Sequence, residues 1–439
     1  MSVAVAHGRT ATTARAGHAL SPAKTRWHHT IRGRSLRNVT DAAEPVSLDE
    51  DSYYQDPQGF FARLRESRSV APVRMPAYGR AWVVTRYEDV RAVLTDPRMA
   101  KDVHRWPGGG RSRPSAATGV YAHMLHADPP EHTRLRRLVQ KPFASRRAAL
   151  RPRTEEIAAG LLDEMARRGD DVVDLLGQYA RPLPITVICE LLGVPVADRQ
   201  WVRATVYAYD ERAEHARVER ELATYFTGLI AAKRAEPGDD LVSELVLASD
   251  DASSDGAADG LTPDELVSTA FLLIMAGFDT TANLIASGTL ALLTHPGEMA
   301  RLRQDPSLLP AAVEELLRFT SPVNHANDRF TTANVPIGDV VIPAAEWVIP
   351  AIASADWDQT RFPDPGRLEL GRDASGHLAF GHGVHHCLGA PLARMEAEVA
   401  LGALLARFPR VTLAVPSSKV RWRPVSLMNG LDSLPIRVG

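Results

Sequence analysis

Residues 380–389 of the 439-residue chain read Phe-Gly-His-Gly-Val-His-His-Cys-Leu-Gly, and this stretch decides the fold. Its glycines allow the backbone to turn tightly and to approach a flat ligand closely. Cys387 stands just before a helix that the apolar pattern predicts over residues 391–406. The free N–H groups at a helix N-terminus favour the thiolate form of a cysteine. The stretch therefore predicts a thiolate held in a tight turn.

The same stretch fits the haem-binding loop pattern Phe-Gly-x-Gly-x-His-x-Cys-x-Gly at every specified position. A chance match in a chain of this length has a probability on the order of one in a million. A zinc site is the alternative, since His382, His385 and His386 stand beside Cys387. Structural zinc favours paired cysteines or a His-x3–5-His spacing. The only other cysteine, Cys189, is about 200 residues away, so haem is the favoured ligand.

Composition places the chain among ordinary globular proteins. Hydrophobic residues make up 45% and charged residues 24% of the chain, and a chain of this length can enclose a bulky cofactor. A net charge of −2 does not favour nucleic-acid binding. Two cysteines exclude a disulfide-rich secreted scaffold. Cys189, which lies in an apolar segment, is most simply a core residue.

The N-terminal part differs from the rest of the chain. Residues 1–40 contain seven Arg or Lys and no Asp or Glu. We interpret residues 1–44 as a disordered Arg-rich leader, with a transit peptide as the alternative, and residues 45–439 as a single catalytic domain. No apolar run approaches the roughly 20 residues needed to span a bilayer. We therefore expect a cytoplasmic protein that uses no membrane.

The clearest helix begins at residues 262–265, Thr-Pro-Asp-Glu, which form a capping box with Thr at the N-cap. The pattern predicts that this helix runs to Thr294, where a Pro-Gly pair stops it. Its middle, residues 270–276, is apolar on every side, which is typical of a helix in a protein core. A membrane span is the competing interpretation, but Asp279 and Asn283 interrupt the apolar run.

Most of the remaining apolar spacing is helical. Residues 330–352 and the segment from 411 change toward period two, which is typical of short antiparallel strands. Residues 106–118 are rich in Gly, Pro and Ser and predict a mobile loop. The predicted fold class is mostly α with a minor β component.

Two further motifs carry chemistry. Residues 276–281, Ala-Gly-Phe-Asp-Thr-Thr, place Asp279 beside Thr280 within an apolar helix. Against a haem, such an acid–alcohol pair can deliver protons, whereas without one a buried Thr commonly bonds back to the preceding turn. Glu315 and Arg318 share a helix face, because they are three residues apart, and can form an ion pair.

Occurring in this order, the three motifs resemble those of cytochrome P450 monooxygenases. The similarity covers nearly all of residues 45–439. The stretch 128–136, Asp-Pro-Pro-Glu-His-Thr-Arg-Leu-Arg, is most similar to the soluble actinobacterial group. The resemblance implies a triangular P450-like fold that holds haem b between the long central helix and the Cys-containing loop.

The resemblance also implies roles for individual residues. The positions that match cofactor-binding residues are His132, Arg136, Ala276, Arg329, His385 and Cys387. Cys387 would be the axial iron ligand, and the basic residues would bind the haem propionates, since buried carboxylates need cationic or donor partners. For His132 and Arg136 the alternative is a solvated helix face.

The catalytic positions match Asp279 and Thr280. Thr280 would hold the hydrogen-bond network around oxygen, and Asp279 would relay protons from water. Glu315 and Arg318 would be structural and would lock the haem side of the fold, with Arg372 completing their network.

Electrons would come from a partner, because the chain shows no fused flavin or iron–sulfur region. The resemblance implies a small ferredoxin served by an NAD(P)H-dependent reductase, and we expect a monomeric enzyme. A basic stretch could steer an acidic ferredoxin, or it could be a solvated charged face. Its members are Arg134, Arg137, Lys141, Arg146 and Arg147.

The expected activity is hydroxylation or epoxidation of a mid-sized natural product, such as a polyketide, macrolide or modified peptide, in secondary-metabolite or antibiotic biosynthesis. By analogy with the family, residues 106–123, 271–278, 323–327 and 427–431 would line the pocket, and Asn324, His325, Asn327 and Asn429 would orient the substrate. One alternative is oxidative coupling or ring formation with the same haem. Another is a non-catalytic haem-binding sensor, against which the Asp279–Thr280 pair argues.

Overall fold

The computed structural model describes residues 30–31, 34–35, 46–48, 51–75, 79–107, 119–254 and 260–438. The predicted mobile loop at 106–118 lies outside these ranges except for its first two residues. Most of the predicted disordered leader also lies outside them. Within residues 1–44, the structure describes only the antiparallel pair β1 (Thr30–Ile31) and β2 (Arg34–Ser35).

Helices dominate the described residues, and the predicted class of mostly α with minor β is confirmed. The α-helices are α1 (Asp51–Gln55), α2 (Pro57–Ser67), α3 (Tyr87–Thr95), α4 (Glu131–Ala148), α5 (Arg151–Arg168), α6 (Pro182–Leu191), α7 (Arg199–Tyr207), α8 (His215–Ala235), α9 (Leu241–Ser254), α10 (Pro263–Thr294), α11 (Pro296–Gln304), α12 (Leu309–Thr320), α13 (Ile352–Asp356) and α14 (Ala390–Arg407). The helix predicted over 391–406 is thus α14, one residue longer at each end.

The strands form a minor component beside the helices. They are β3 (Val46–Ser47), β4 (Val70–Met75), β5 (Gly79–Val84), β6 (Met99–Ala100), β7 (Val172–Asp174), β8 (Arg329–Thr331), β9 (Val335–Ile337), β10 (Val340–Ile342), β11 (Trp347–Pro350), β12 (Thr412–Leu413) and β13 (Pro435–Arg437). The largest sheet has the order β3-β4-β5-β11-β8-β6. The predicted antiparallel strands over 330–352 are present, and β11 additionally pairs in parallel with β5.

The central element is α10, which is 32 residues and about 48 Å long. The predicted capping box is present, because Glu265 N donates to Thr262 Oγ1 at 3.2 Å and Thr262 N donates to Glu265 Oε2 at 2.8 Å. This helix packs against α6, α8, α12 and α14. In length and apolarity α10 could span a membrane, but 72% of its most apolar window is buried within the protein. It is therefore a core helix, as predicted.

A buried ion-pair network joins α12 to the segment before the Cys387 loop. Arg318 donates through Nε and Nη2 to the carboxylate of Glu315 at 2.7 and 2.8 Å, and neither side chain is exposed. Arg372 Nε donates to Glu315 Oε1 at 3.2 Å, as predicted. Arg318 Nη1 also donates to the carbonyls of Asp356 and Pro365. These bonds fix the chain that leads into the loop.

Candidate active site

A cavity of about 280 Å³ lies between α10 and the loop that carries Cys387. Ala276, Gly277 and Thr280 line it from α10, and His385 and Cys387 line it from the loop. Seven of the eight site residues predicted from the sequence line this cavity, and the exception is Asp279. The fold therefore brings together side chains from segments that are far apart in the chain.

The Cys387 loop is built on glycines that no other residue could replace without strain. Gly381 and Gly383 have φ angles of 70° and 76°, in the left-handed region that favours glycine. A Cβ atom on Gly383 would also lie 2.9 Å from the carbonyl oxygen of Leu94. The N–H of Cys387 donates to the carbonyl of Phe380 at 2.9 Å and closes the loop. The glycines predicted to permit a tight turn thus have that function here.

Opposing influences act on the Cys387 thiol. Burial raises its pKa, whereas the N–H groups of Gly389 and Ala390 and the guanidinium of Arg136 lower it. The net shift is upward, so the helix N-terminus alone does not make Cys387 a thiolate. Metal binding deprotonates a cysteine ligand directly. The site therefore has a thiol that a metal ion can convert to a thiolate, with donors and a cation in place to stabilise it.

Basic side chains from four segments meet at the same cavity. The rings of His132 and His385 lie 4.3 Å apart between centroids. Burial, followed by the charges of Arg136 and Lys101, lowers the pKa of His132 to about 4. Burial also lowers the pKa of Arg329 to about 10. The Nε2 of His132 is buried and has no hydrogen-bond partner in the part of the chain that the structure describes.

These features fit haem b. The cavity offers a cysteine sulfur for iron, a small-residue helix face for a flat ring, and a buried basic cluster for two carboxylates. An unpartnered buried nitrogen and several mutually repelling cations are costly without an anion. The cavity thus provides both a sulfur ligand for the haem iron and basic side chains for the haem propionates.

The two predicted catalytic residues have different surroundings. Thr280 lines the cavity and its hydroxyl donates to the carbonyl of Ala276 at 3.1 Å. Asp279 faces away, because successive helical residues point about 100° apart. Its carboxylate accepts from Arg423 Nη2 at 2.9 Å and lies 3.8 Å from Arg181 Nη2. The acid–alcohol pair is adjacent in sequence, but its side chains do not share the cavity.

Sequence reasoning missed four residues of this region: Lys101, Arg181, Glu396 and Arg423. Glu396 lies on α14, lines the cavity and is 1% exposed. Burial raises its pKa well above the usual range, and the hydroxyl of Thr281 opposes that shift. An acid among the apolar residues of α14 was a visible signal. Arg181 and Arg423 gave no signal in the sequence, because only folding brings them to Asp279.

Comparisons with known proteins agree with this geometry. The family described as Cytochrome P450 matches residues 211–420. The chain is 45% identical to "Cytochrome P450 107B1" from Saccharopolyspora erythraea, covering 89% of this chain and 97% of the relative. It is 43% identical to "6-deoxyerythronolide B hydroxylase" of the same organism, covering 89% and 98%.

Solved structures share the fold. The tirandamycin C-bound P450 monooxygenase TamI has a TM-score of 0.80 and 44% identity, covering 90% of this chain and 100% of that chain. SgvP, described as a putative thioether synthase of griseoviridin tailoring, has a TM-score of 0.81 and 41% identity, covering 90% and 100%. The chain belongs to the cytochrome P450 family, and it is a monooxygenase that binds haem b and uses O2, a substrate and a redox partner.

Proposed function

We propose that this chain hydroxylates or epoxidises a mid-sized polyketide or macrolide in secondary metabolism, with a haem whose iron Cys387 would ligate. The observation that carries the proposal is the cavity in which the α10 face and the Cys387 loop meet. Away from the basic cluster its lining is largely apolar and includes Leu272, Leu273 and Val323. Such a lining suits a substrate with a large hydrocarbon framework.

Two relatives support this class of substrate. One is named as a hydroxylase of 6-deoxyerythronolide B, and TamI was solved with tirandamycin C bound. Oxidative coupling is the second candidate function, because SgvP is described as a thioether synthase. The side chains around the cavity serve either reaction, so the product decides between them.

The haem, when bound, supplies the activation of O2 and the oxidation of the substrate. His132, Arg136, Arg329 and His385 would hold its propionates, and the small side chain of Ala276 would let a flat ring approach α10. The protein therefore orients the cofactor from two sides.

Protons come from water and are passed on by side chains of the protein. The Thr280 hydroxyl can exchange its bond to the Ala276 carbonyl for one to a group inside the cavity. Asp279 holds a carboxylate on the opposite side of the same helical turn, where Arg423 and Arg181 bind it. We assign Thr280 to the hydrogen-bond network at the reacting centre and Asp279 to the route by which protons reach it.

Electrons come from a ferredoxin and its NAD(P)H-dependent reductase, and the enzyme works as a cytoplasmic monomer. Residues 45–439 are proposed to form its single catalytic domain, and the leader predicted over residues 1–44 lies mostly outside the described residues. In the basic stretch, Arg134 and Arg146 already pair with carboxylates on α9, α10 and nearby segments. Lys141 is exposed and makes no ion pair with any described residue. It is the best cation in this stretch for an acidic ferredoxin.

The test of the cofactor assignment is the absorption spectrum of the reduced, CO-bound protein. A strongly red-shifted Soret band is expected for the wild type, and Cys387→Ala is expected to lose that band. Cys189→Ala is the matched control, because Cys189 is the other cysteine and is buried away from the cavity. A wild-type band in Cys387→Ala would contradict the ligand assignment.

The test of the reaction is turnover of a panel of macrolactone substrates with surrogate ferredoxin and reductase. Hydroxylation or epoxidation predicts a product that gains one oxygen atom. Coupling predicts loss of two hydrogen atoms. Haem binding without substrate-dependent NADPH consumption or product across the panel would support the sensor alternative.

A further inference from the structure

We propose that Lys101 binds a haem propionate together with Arg329. Lys101 directly follows β6, lines the cavity and is only 6% exposed. The inference rests on the proposed function, because it presupposes haem in this cavity. It adds a cation that the sequence motifs do not contain.

The ammonium group of Lys101 is poorly compensated by the protein. An ammonium has three donors, and Lys101 Nζ makes one hydrogen bond, to the carbonyl of Leu125 at 3.2 Å. No carboxylate of the described ranges forms an ion pair with it within 4.0 Å. Burying an ion without a counter-ion costs several kcal/mol. The fold therefore favours an anion beside Lys101.

The groups around Lys101 reinforce the need for an anion. Burial lowers the pKa of Lys101 well below its usual range, and the charge of Arg329 lowers it further. Both side chains line the same cavity. Two basic side chains, Lys101 and Arg329, are thus brought together inside one desolvated cavity. A pair of carboxylates would relieve this repulsion.

Two acids, Asp328 and Asp128, oppose the lowering of the Lys101 pKa, and among the described residues neither forms an ion pair with its ammonium. The oxygens of Asp128 are engaged elsewhere. They accept the backbone N–H of Lys101 at 3.2 Å, that of Asp102 at 3.1 Å, and Arg105 Nη1 at 2.9 Å. Asp128 therefore positions the Lys101 backbone without pairing with its ammonium. It also directly precedes the turn into α4, which carries His132. Asp128 thus connects the two segments, through its carboxylate to the Lys101 N–H and through its backbone carbonyl to the His132 N–H.

A substrate carboxylate is the other source of such an anion. The haem propionate is favoured because Lys101 lines the same cavity as Arg329, His132 and His385, the side chains that we assign to the propionates. An ammonium group that lies in this cluster would therefore contact the same propionate carboxylates.

The experiment measures haem release from the holoenzyme to excess apomyoglobin. We expect Lys101→Met to release haem roughly ten- to a hundredfold faster than the wild type, since a hydrogen bond to a charged group is lost. Lys101→Arg should release it at close to the wild-type rate. Lys419→Met removes an exposed lysine and serves as the control with no change. If the Met variant does not fold, Lys101→Gln replaces it.

A second arm separates recognition of the propionates from a general structural effect. Protein made without haem is reconstituted with haemin or with haemin dimethyl ester, which lacks the carboxylate charges. Lys101→Met should speed the release of haemin and leave the release of the dimethyl ester nearly unchanged. Equal acceleration for both ligands, or unchanged haemin release, would overturn the inference.

Two further measurements test whether Lys101 binds a substrate carboxylate instead, and whether the proposed function holds independently of Lys101. Myristate serves as a probe with a carboxylate: if it shifts the Soret band of the wild type but not that of Lys101→Met, with haem release unchanged, Lys101 would be assigned to a substrate carboxylate and the propionate inference would be overturned. The reduced CO spectrum of Lys101→Met reports on Cys387 independently. A red-shifted band in that variant keeps the proposed function even if the role of Lys101 fails.

Discussion

Arg423 Nη2 lies 2.9 Å from both carboxylate oxygens of Asp279, although the two residues are 144 positions apart. The same guanidinium donates through Nη1 to Asp210 at 2.9 Å and through Nη2 to Asn283 at 3.0 Å. One arginine from the C-terminal segment thus joins α10 to the turn between α7 and α8. The acid predicted to relay protons is also half of a buried ion pair.

Removing Arg423 should destabilise the protein strongly. Arg423→Gln leaves the buried Asp279 carboxylate with only the more distant Arg181, 3.8 Å away, so we expect a loss of about 3 kcal/mol in urea unfolding. Arg421→Gln is the control, because Arg421 and its partner Asp51 are 55% and 73% exposed, and a loss below about 1 kcal/mol is expected. The double variant with Asp279→Asn should lose less than the sum of the single variants. Strict additivity would show that the pair does not interact.

Thr280 should control how efficiently electrons are used. Thr280→Ala removes the cavity-lining hydroxyl, so we expect NADPH consumption to continue while more of it yields peroxide instead of product. Thr289→Ala is the matched control on the same helix: its hydroxyl bonds back to the Ile285 carbonyl at 2.7 Å and it does not line the cavity. Coupling equal to that of the wild type in Thr280→Ala would argue against its role in proton delivery.

The Glu315–Arg318 pair should be essential for folding, unlike a similar pair at the surface. Arg318→Met leaves the fully buried Glu315 without its main partner, and a loss of about 3–5 kcal/mol is expected in thermal or urea unfolding. Arg301→Met is the control, since Glu298 and Arg301 have the same spacing but Arg301 is 48% exposed. For Arg301→Met, the decrease in the free energy of unfolding should stay below about 1 kcal/mol. Comparable losses in both variants would contradict this prediction.

Asp356 should make stability depend on pH. Its side chain is fully buried, and burial raises its pKa from 3.8 to about 7. The folded state therefore binds a proton more tightly than the unfolded state, so this residue's contribution to stability falls as the pH rises from about 4 to about 7 and is constant above that. The difference corresponds to about 4 kcal/mol. Urea unfolding between pH 5 and 8 should show a shallower decline in Asp356→Asn, and parallel curves would refute the assignment.

Lys141 should contribute to recognition of the redox partner. Lys141→Glu is expected to slow electron transfer from an acidic ferredoxin several-fold at low ionic strength, and high salt should remove most of the difference because it screens exposed charges. The control is Lys419→Glu, which makes the same change at another exposed lysine. A defect in Lys141→Glu that persists at high salt would indicate a local structural effect.

Much of the site could be predicted from the sequence, because its motifs impose local geometry. A capping box acts within four residues, and positive φ angles at Gly381 and Gly383 are a property of single positions. The period of apolar residues likewise predicted the central helix and its burial. In each case the physical cause lies within one or two turns of chain.

The sequence by itself determined the class of cofactor, the helix behind the cavity and the loop that presents Cys387. Only the tertiary structure decided which charges meet. It placed Lys101 among the basic residues of the cavity, and it turned Asp279 away from Thr280 toward Arg423. Charge pairing depends on distances between segments a hundred or more residues apart, and those distances are set by how the helices and sheet pack. No local pattern along the chain carries that information.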